Sequence, residues 1–156
     1  LKTAVLLAAA LQIGACYANA SQENQKLIYD FGIKIGLAFQ LQDDWLDCYG
    51  NQSKLGKPIG LDISDNKKTF LYTTALANAN PQKKDQLIYL YSTDKIGKKE
   101  KIEAVLKIFE ELNVKEITLA EIEKYHDEAM QLLESIASER KQTLRLFAEK
   151  LLGREY

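Results

Sequence analysis

Apolar residues recur every three to four positions along most of the chain, which is the spacing of one face of a helix. Around residues 51–66 this spacing gives way to glycine, proline and polar residues, which predict the one substantial loop. The pattern predicts helices over about 3–19, 22–49, 67–79, 81–92, 98–111 and 118–152. We therefore expect an all-α protein, a helical bundle without strands.

Side chains that cap helices support three of these starts. Ser21 precedes the second helix at a position that favours serine. Asn80 and Pro81 are typical of an N-cap followed by the first helical residue. Thr118 and Glu121 have the spacing of a capping box, so we expect the last helix to begin there and to continue to about residue 152.

Length and composition limit the class of protein. The chain has 156 residues, 46% of them hydrophobic, and a formal charge of −1. These values predict one folded region over residues 1–156 and exclude a disordered chain or a general nucleic-acid binder. Two cysteines without a C-x-x-C pair favour reduced thiols, and we expect a cytoplasmic location.

The first twenty residues allow two interpretations. Lys2, an apolar run and Ala18-Asn19-Ala20 imitate a secretory signal peptide, and Cys16 lies in a sequence similar to a lipoprotein attachment site. The alternative is a helix packed closely through its small residues, which we favour because Gln12 interrupts the apolar run. No run reaches the about 20 apolar residues of a transmembrane helix.

The second helix combines an apolar circumference with one narrow unusual stripe. Gly32, Gly36 and Gln40 lie along this stripe, which leads to a group of aspartates. A helix that is apolar almost all round is normally buried. Since glycines allow close approach to the backbone, we predict that the stripe forms the wall of an internal cavity with a polar end, and hence a ligand site.

Three carboxylates end that stripe. Asp43, Asp44 and Asp47 form a D-D-x-x-D motif within a sector of about 100° on the helix. Like charges this close repel one another and favour a bound cation. Oxygen ligands without histidine or cysteine predict Mg²⁺. The alternative is a solvated acidic turn, which the apolar surroundings disfavour.

Lysines follow the aspartates within the predicted loop and the start of the next helix. Their ammonium groups suit phosphate as point charges, although most lysines are simply solvated. The four lysines concerned are Lys54, Lys57, Lys67 and Lys68.

Taken together, four segments resemble the trans-isoprenyl diphosphate synthases, the family that includes farnesyl and geranylgeranyl diphosphate synthases. The segments, in the family's order, are Lys2-Thr3-Ala4, FQLQDDWLD over 39–47, LGKP over 55–58 and DISDNKKT over 62–69. The resemblance implies the C-terminal half of the isoprenoid synthase fold. It also implies a Mg²⁺-dependent prenyltransferase that condenses an allylic diphosphate with isopentenyl diphosphate.

The resemblance further implies roles for individual residues. Asp43, Asp44 and Asp47 match the second of two motifs that hold Mg²⁺ against the allylic diphosphate, where the metal neutralises the leaving group. Positions that contact this diphosphate are matched by Lys2, Lys57 and Lys67. Positions near the reacting carbons are matched by Thr3 and Gln40, and a position near isopentenyl diphosphate is matched by Phe39.

The family's first aspartate motif, its arginine pair and its lysine for isopentenyl diphosphate precede the region matched here. We therefore expect the chain to correspond to the C-terminal part of a prenyltransferase domain, with the N-terminal half of the same enzyme as its partner. We expect a homodimer when the enzyme is complete, and no prenyl transfer by these 156 residues alone. The alternative is a non-catalytic subunit of a heteromeric prenyl synthase.

Overall fold

Helices form all the regular structure in the described part of the chain. The computed structural model describes residues 2–51, 56, 58–93, 95–138 and 141–153, without the side chain of Lys2. The helices in chain order are α1 (Lys2–Tyr17), α2 (Gln22–Tyr49), α3 (Leu61–Ser64), α4 (Phe70–Asn78), α5 (Pro81–Leu90), α6 (Lys98–Glu111), α7 (Val114–Ser135) and α8 (Gln142–Leu152). The predicted all-α class is confirmed.

Two of the predicted helix caps are confirmed. The Ser21 hydroxyl oxygen accepts a hydrogen bond from the backbone N–H of Asn24 at 3.2 Å. The side-chain oxygen of Asn80 accepts one from the backbone N–H of Lys83 at 2.9 Å, and α5 begins at Pro81. Short polar side chains therefore satisfy N–H groups that the first turn of each helix leaves without a helical partner.

The predicted last helix is wrong at both its start and its middle. Thr118 lies buried inside α7, where its hydroxyl donates to the Val114 carbonyl at 2.7 Å instead of capping a helix start. The start comes earlier because Asn113, with a left-handed φ of 52°, ends the preceding helix and α7 begins at the next residue. The chain then leaves the helical conformation after Ser135, before α8 begins.

Two compact units make up the chain. Residues 1–42 and 120–155 form the first unit, and residues 43–119 form the second. In the first unit, the core contains Ile28, Phe31, Ile35, Ala129, Leu133, Ile136 and Ala148. In the second unit, the core includes Cys48, Ile63, Leu71, Leu87, Val105, Ile108 and Phe109.

Within the first unit, the glycines of α2 make room for α1. A Cβ atom on Gly32 would lie 2.5 Å from the Cα of Ala8, and one on Gly36 would lie 2.5 Å from the Cα of Ala4. The prediction that these glycines line a ligand cavity is therefore wrong, because the backbone of α1 fills the space. The competing prediction for the first residues, a helix packed through small side chains, is confirmed by the buried Ala4 and Ala8.

The opposite side of α1 carries large apolar side chains that the described residues leave uncovered. Leu6, Ile13 and Tyr17 are 74%, 69% and 91% exposed. In the described ranges, no helix combines the length and apolar character needed to cross a bilayer.

Candidate functional site

The three aspartates of the D-D-x-x-D motif occupy the last turns of α2 and differ in exposure. Asp43 is exposed and Asp44 is half-buried, whereas Asp47 is only 3% exposed. A buried carboxylate requires hydrogen-bond donors. The three side chains therefore have different surroundings, which the spacing along the helix could not reveal.

Asp47 connects the end of α2 to the segment that follows the loop. Its carboxylate accepts a hydrogen bond from the backbone N–H of Asp62 at 2.9 Å, in the first turn of α3. Its backbone carbonyl accepts one from the N–H of Gly60 at 2.6 Å. Since the start of a helix favours negative charge, the Asp47 carboxylate stabilises α3 in this position.

The Asp44 carboxylate binds a backbone N–H at the start of α4, as Asp47 does at the start of α3. Its carboxylate accepts a hydrogen bond from the backbone N–H of Phe70, the first residue of α4. The residue before it, Thr69, offers that helix no side-chain cap. The motif thus supplies carboxylates to the starts of two successive helices, a role that the sequence analysis did not predict.

The surroundings of Asp44 disfavour its negative charge. Burial, together with the nearby carboxylates of Asp62, Asp43 and Asp47, raises the pKa of Asp44 from 3.8 to about 6 against the opposing effect of the Phe70 N–H. A bound cation would stabilise the ionised form of this carboxyl group, because its positive charge compensates for the lost water and for the repulsion by the other carboxylates.

Lys67 lies beside this acidic group but is already paired. Its exposed ammonium contacts the Asp62 carboxylate at 2.5 Å, and the hydrogen bond to Asp62 raises the pKa of Lys67. The Lys67 backbone N–H also donates to the Asp62 carbonyl at 2.9 Å. Asp62 therefore links Lys67 to Asp47 and adds charge next to Asp44. Asp62 lies in the motif DISDNKKT over 62–69, although the resemblance implies no role for it.

The donor set suits Mg²⁺ only as a partial site. In the residues that the structure describes, no three histidine, cysteine, aspartate or glutamate side chains are arranged to hold a metal ion. Magnesium usually takes one or two protein carboxylates and completes its shell with water and substrate phosphate. The exposed Asp43 and the half-buried Asp44 fit that pattern, whereas Asp47 already accepts a backbone hydrogen bond.

The other residues predicted for the site lie in the first unit or outside the residues that the structure describes. Thr3 is exposed on α1, and Phe39 and Gln40 are half-buried on α2. The side chain of Lys2 and all of Lys57 lie outside the described residues. The roles that the resemblance gives these five residues stay predictions.

Comparison with known proteins identifies a single family. The sequence profile of the polyprenyl synthetase family matches residues 1–109. A short chain isoprenyl diphosphate synthase from Methanothermobacter thermautotrophicus is 33% identical over 156 residues, covering 99% of this chain and 47% of the relative. Because the profile match includes the first twenty residues, these belong to the family's domain, which contradicts the signal-peptide interpretation.

Solved structures agree with this match. A geranylgeranyl pyrophosphate synthase has a TM-score of 0.85 and 40% identity, with 99% of this chain and 49% of that protein covered. A polyprenyl synthase from Caulobacter crescentus, solved with calcium and isoprenyl diphosphate, has a TM-score of 0.83 and 28% identity, with 99% and 47% covered. The chain thus spans about half the length of the relatives it matches. The resemblance predicted from the motifs is confirmed.

Proposed function

Because this chain belongs to the polyprenyl synthetase family, we propose that it carries the part of a chain-elongating prenyltransferase site that binds a metal–diphosphate group. The observation that carries the proposal is the pair formed by Asp43 and Asp44. Asp43 is exposed, and burial together with the nearby carboxylates raises the pKa of Asp44 to about 6. This pair offers oxygen ligands where additional positive charge is most favourable.

In the proposed site, Asp43 and Asp44 hold a divalent cation, and Lys67 contacts the diphosphate. Mg²⁺ fits these ligands, and when bound it supplies charge neutralisation for a leaving diphosphate. Lys67 exchanges its pairing with Asp62 for the diphosphate, which its exposed position permits. The Caulobacter crescentus relative, solved with calcium and isoprenyl diphosphate, supports a hard cation and a diphosphate ligand for this site.

We assign the substrates as an allylic diphosphate and isopentenyl diphosphate, on the basis of the family. Within that assignment Lys2 and Lys57 contact the allylic diphosphate. Thr3 and Gln40 lie near the reacting carbons, and Phe39 lies near isopentenyl diphosphate. We place the enzyme in the cytoplasm.

The same proposal includes a partner, the N-terminal half of the same enzyme. The exposed apolar side chains of α1 support it, because a helix that is apolar on all sides is normally buried. A complete enzyme would form a homodimer, and these 156 residues alone would not transfer prenyl groups. The alternative is a non-catalytic subunit of a heteromeric synthase, which the intact D-D-x-x-D motif over 43–47 disfavours.

Calorimetry tests the binding site directly. The chain is titrated with inorganic pyrophosphate, and separately with an allylic diphosphate analogue, in the presence and absence of Mg²⁺. We expect Mg²⁺-dependent heat that Asp43→Ala abolishes. Asp85→Ala, which removes an exposed aspartate of α5, is the matched control and should bind as the parent does. Absence of heat from the parent, or equal heats from the parent and Asp43→Ala, would contradict the site and favour the non-catalytic alternative.

Prenyl transfer is assayed separately with Mg²⁺, an allylic diphosphate and isopentenyl diphosphate. We expect no elongated product from the purified chain. Turnover of about 1 per second or faster, which is within the range of complete enzymes, would contradict the proposed need for a partner half.

A further inference from the structure

Lys101 is a lysine with almost no access to solvent. It lies on α6, is 4% exposed, and its ammonium donates a hydrogen bond to the side-chain oxygen of Asn66. The same ammonium lies 5.4 Å from the centroid of the Tyr91 ring. Burying a charge is costly unless hydrogen-bond partners replace the lost water. The hydrogen bond to Asn66 provides part of this compensation, so its loss would be unfavourable.

Asn66 lies in the turn after α3, directly before Lys67. Its φ of 58° is in the left-handed region, where asparagine is tolerated better than most residues but needs support from its surroundings. Its backbone N–H donates to the Ile63 carbonyl at 3.2 Å. The next residue, Lys67, then directs both its N–H and its ammonium to Asp62. The left-handed Asn66 and the two contacts of Lys67 with Asp62 therefore belong to the same turn.

The residue after Lys101 fixes the other end of the same segment. Gly60, with φ 78°, packs so closely against α6 that an added Cβ would lie 2.7 Å from Cγ2 of Ile102. Consecutive residues of α6 thus contact the positions just before and just after α3. Asp62, whose backbone N–H donates to Asp47 and whose carboxylate pairs with Lys67, lies between these two contacts.

We propose that Lys101 is a positioning residue for the candidate site, acting through the side chain of Asn66 to fix the turn that holds Lys67 and Asp62 in place. It makes no contact with a reacting group in this scheme. What the site binds rests on the proposed function, whereas the positioning of the turn can be measured without a ligand.

Amide hydrogen exchange measures that positioning. In Lys101→Met we expect the backbone amides of Asp62 and Lys67 to exchange at least about tenfold faster, while the amide of Leu87 in α5 keeps its parental rate. Lys107→Met, which removes an exposed lysine from the same helix, is the matched control and should change neither. Parental rates at Asp62 and Lys67, or a rise shared equally with Leu87, would overturn the proposal.

A second variant tests whether Lys101 acts through Asn66. Asn66→Gly accepts the left-handed conformation but removes the oxygen that Lys101 contacts. We expect it to accelerate exchange at Lys67 as much as Lys101→Met does, and the double variant to add nothing further. Independent, additive effects would overturn the proposed route through Asn66.

Pyrophosphate binding with Mg²⁺ connects the turn to the site. We expect Lys101→Met to weaken this binding by about three- to tenfold, and Lys107→Met to leave it unchanged. Faster exchange with parental affinity would overturn the assigned role. Failure of the parent chain to bind pyrophosphate would instead contradict the proposed function, and the exchange rates would still decide whether Lys101 fixes the turn.

Discussion

The buried carboxylate of Asp47 accepts a hydrogen bond from the backbone N–H of Asp62, 15 residues further along the chain, at 2.9 Å. This contact joins the last turn of α2 to the first turn of α3, and the Gly60 N–H reinforces it by donating to the Asp47 carbonyl. The last aspartate of the D-D-x-x-D motif therefore maintains the local fold. This anchoring role of Asp47 and the proposed metal-binding role of Asp43 predict different consequences when each residue is mutated.

Replacing Asp47 should destabilise the protein more than replacing Asp43. Asp47→Ala leaves the Asp62 N–H without its acceptor in a partly buried position, and we expect a loss of about 2 kcal/mol in the free energy of unfolding. Asp47→Asn keeps an acceptor oxygen, so its free energy of unfolding should fall by less. Asp43→Ala, at an exposed position, should change the free energy of unfolding by less than about 0.5 kcal/mol. Urea unfolding monitored by the fluorescence of Trp45 measures all three, and equal stabilities for the Asp47→Ala and Asp43→Ala variants would contradict the anchoring role.

The raised pKa of Asp44 predicts a dependence on pH with a definite sign. In the folded chain this carboxyl group has a pKa of about 6, compared with 3.8 as its ordinary value. Between these values the folded state binds a proton that the unfolded state releases. The free energy of unfolding should therefore decrease as pH rises from about 4 to about 6, and Asp44→Asn should reduce this slope. Urea unfolding of both proteins at several pH values measures it, and equal slopes would contradict the raised pKa.

Cation binding should depend on pH in the opposite sense to stability and strengthen as pH rises. A metal ion competes with the proton on Asp44, so Mg²⁺-dependent pyrophosphate binding should weaken as pH falls below about 6, by up to about tenfold per pH unit. Calorimetry at several pH values with a constant concentration of Mg²⁺ checks this. Affinity that is constant from about pH 5 to 7 would contradict a metal-binding role for Asp44.

Lys67 should contribute to binding rather than to stability. Its exposed pairing with Asp62 is worth less than about 1 kcal/mol, because water screens the charges and the side chain loses freedom. We expect Lys67→Met to weaken pyrophosphate binding by about tenfold while the unfolding midpoint hardly changes. Lys84→Met, at an exposed position on α5, controls for the loss of one positive charge. Equal affinities for the two variants would argue against a specific contact by Lys67.

The sequence predicted the parts of this protein that depend on local order. Periodicity predicted the bounds of α2, and the caps at Ser21 and Asn80 followed from the short-range preferences of serine and asparagine. The capping-box prediction at Thr118 failed for a physical reason. A threonine hydroxyl can cap a helix or donate to a carbonyl one turn earlier, and the left-handed Asn113 upstream determines which occurs.

The site was predicted only as far as one helix could specify it. The spacing of the three aspartates along α2 is a local property, and it placed them together. The hydrogen bonds from Asp62 and Phe70 come from segments further along the chain, so no periodicity could predict them. The buried Lys101 was missed for the same reason, since its surroundings include Asn66, 35 residues away.

The two glycines of α2 provide a test of close helix packing within the first unit. Gly36→Ala would place a Cβ atom 2.5 Å from the Cα of Ala4, and Gly32→Ala would do the same against Ala8. Because backbone atoms cannot move aside cheaply, we expect each substitution to lower the free energy of unfolding by about 1–3 kcal/mol.

Gly14 is the matched control for these substitutions. It lies within α1, where an added Cβ would meet nothing within 4 Å. Gly14→Ala should therefore raise the free energy of unfolding by about 0.5–1 kcal/mol, since alanine has the higher helix propensity. Urea unfolding of the three variants separates the two effects. If Gly32→Ala and Gly36→Ala were also stabilising, α1 would not pack against these glycines, and the cavity predicted from the stripe would regain its support.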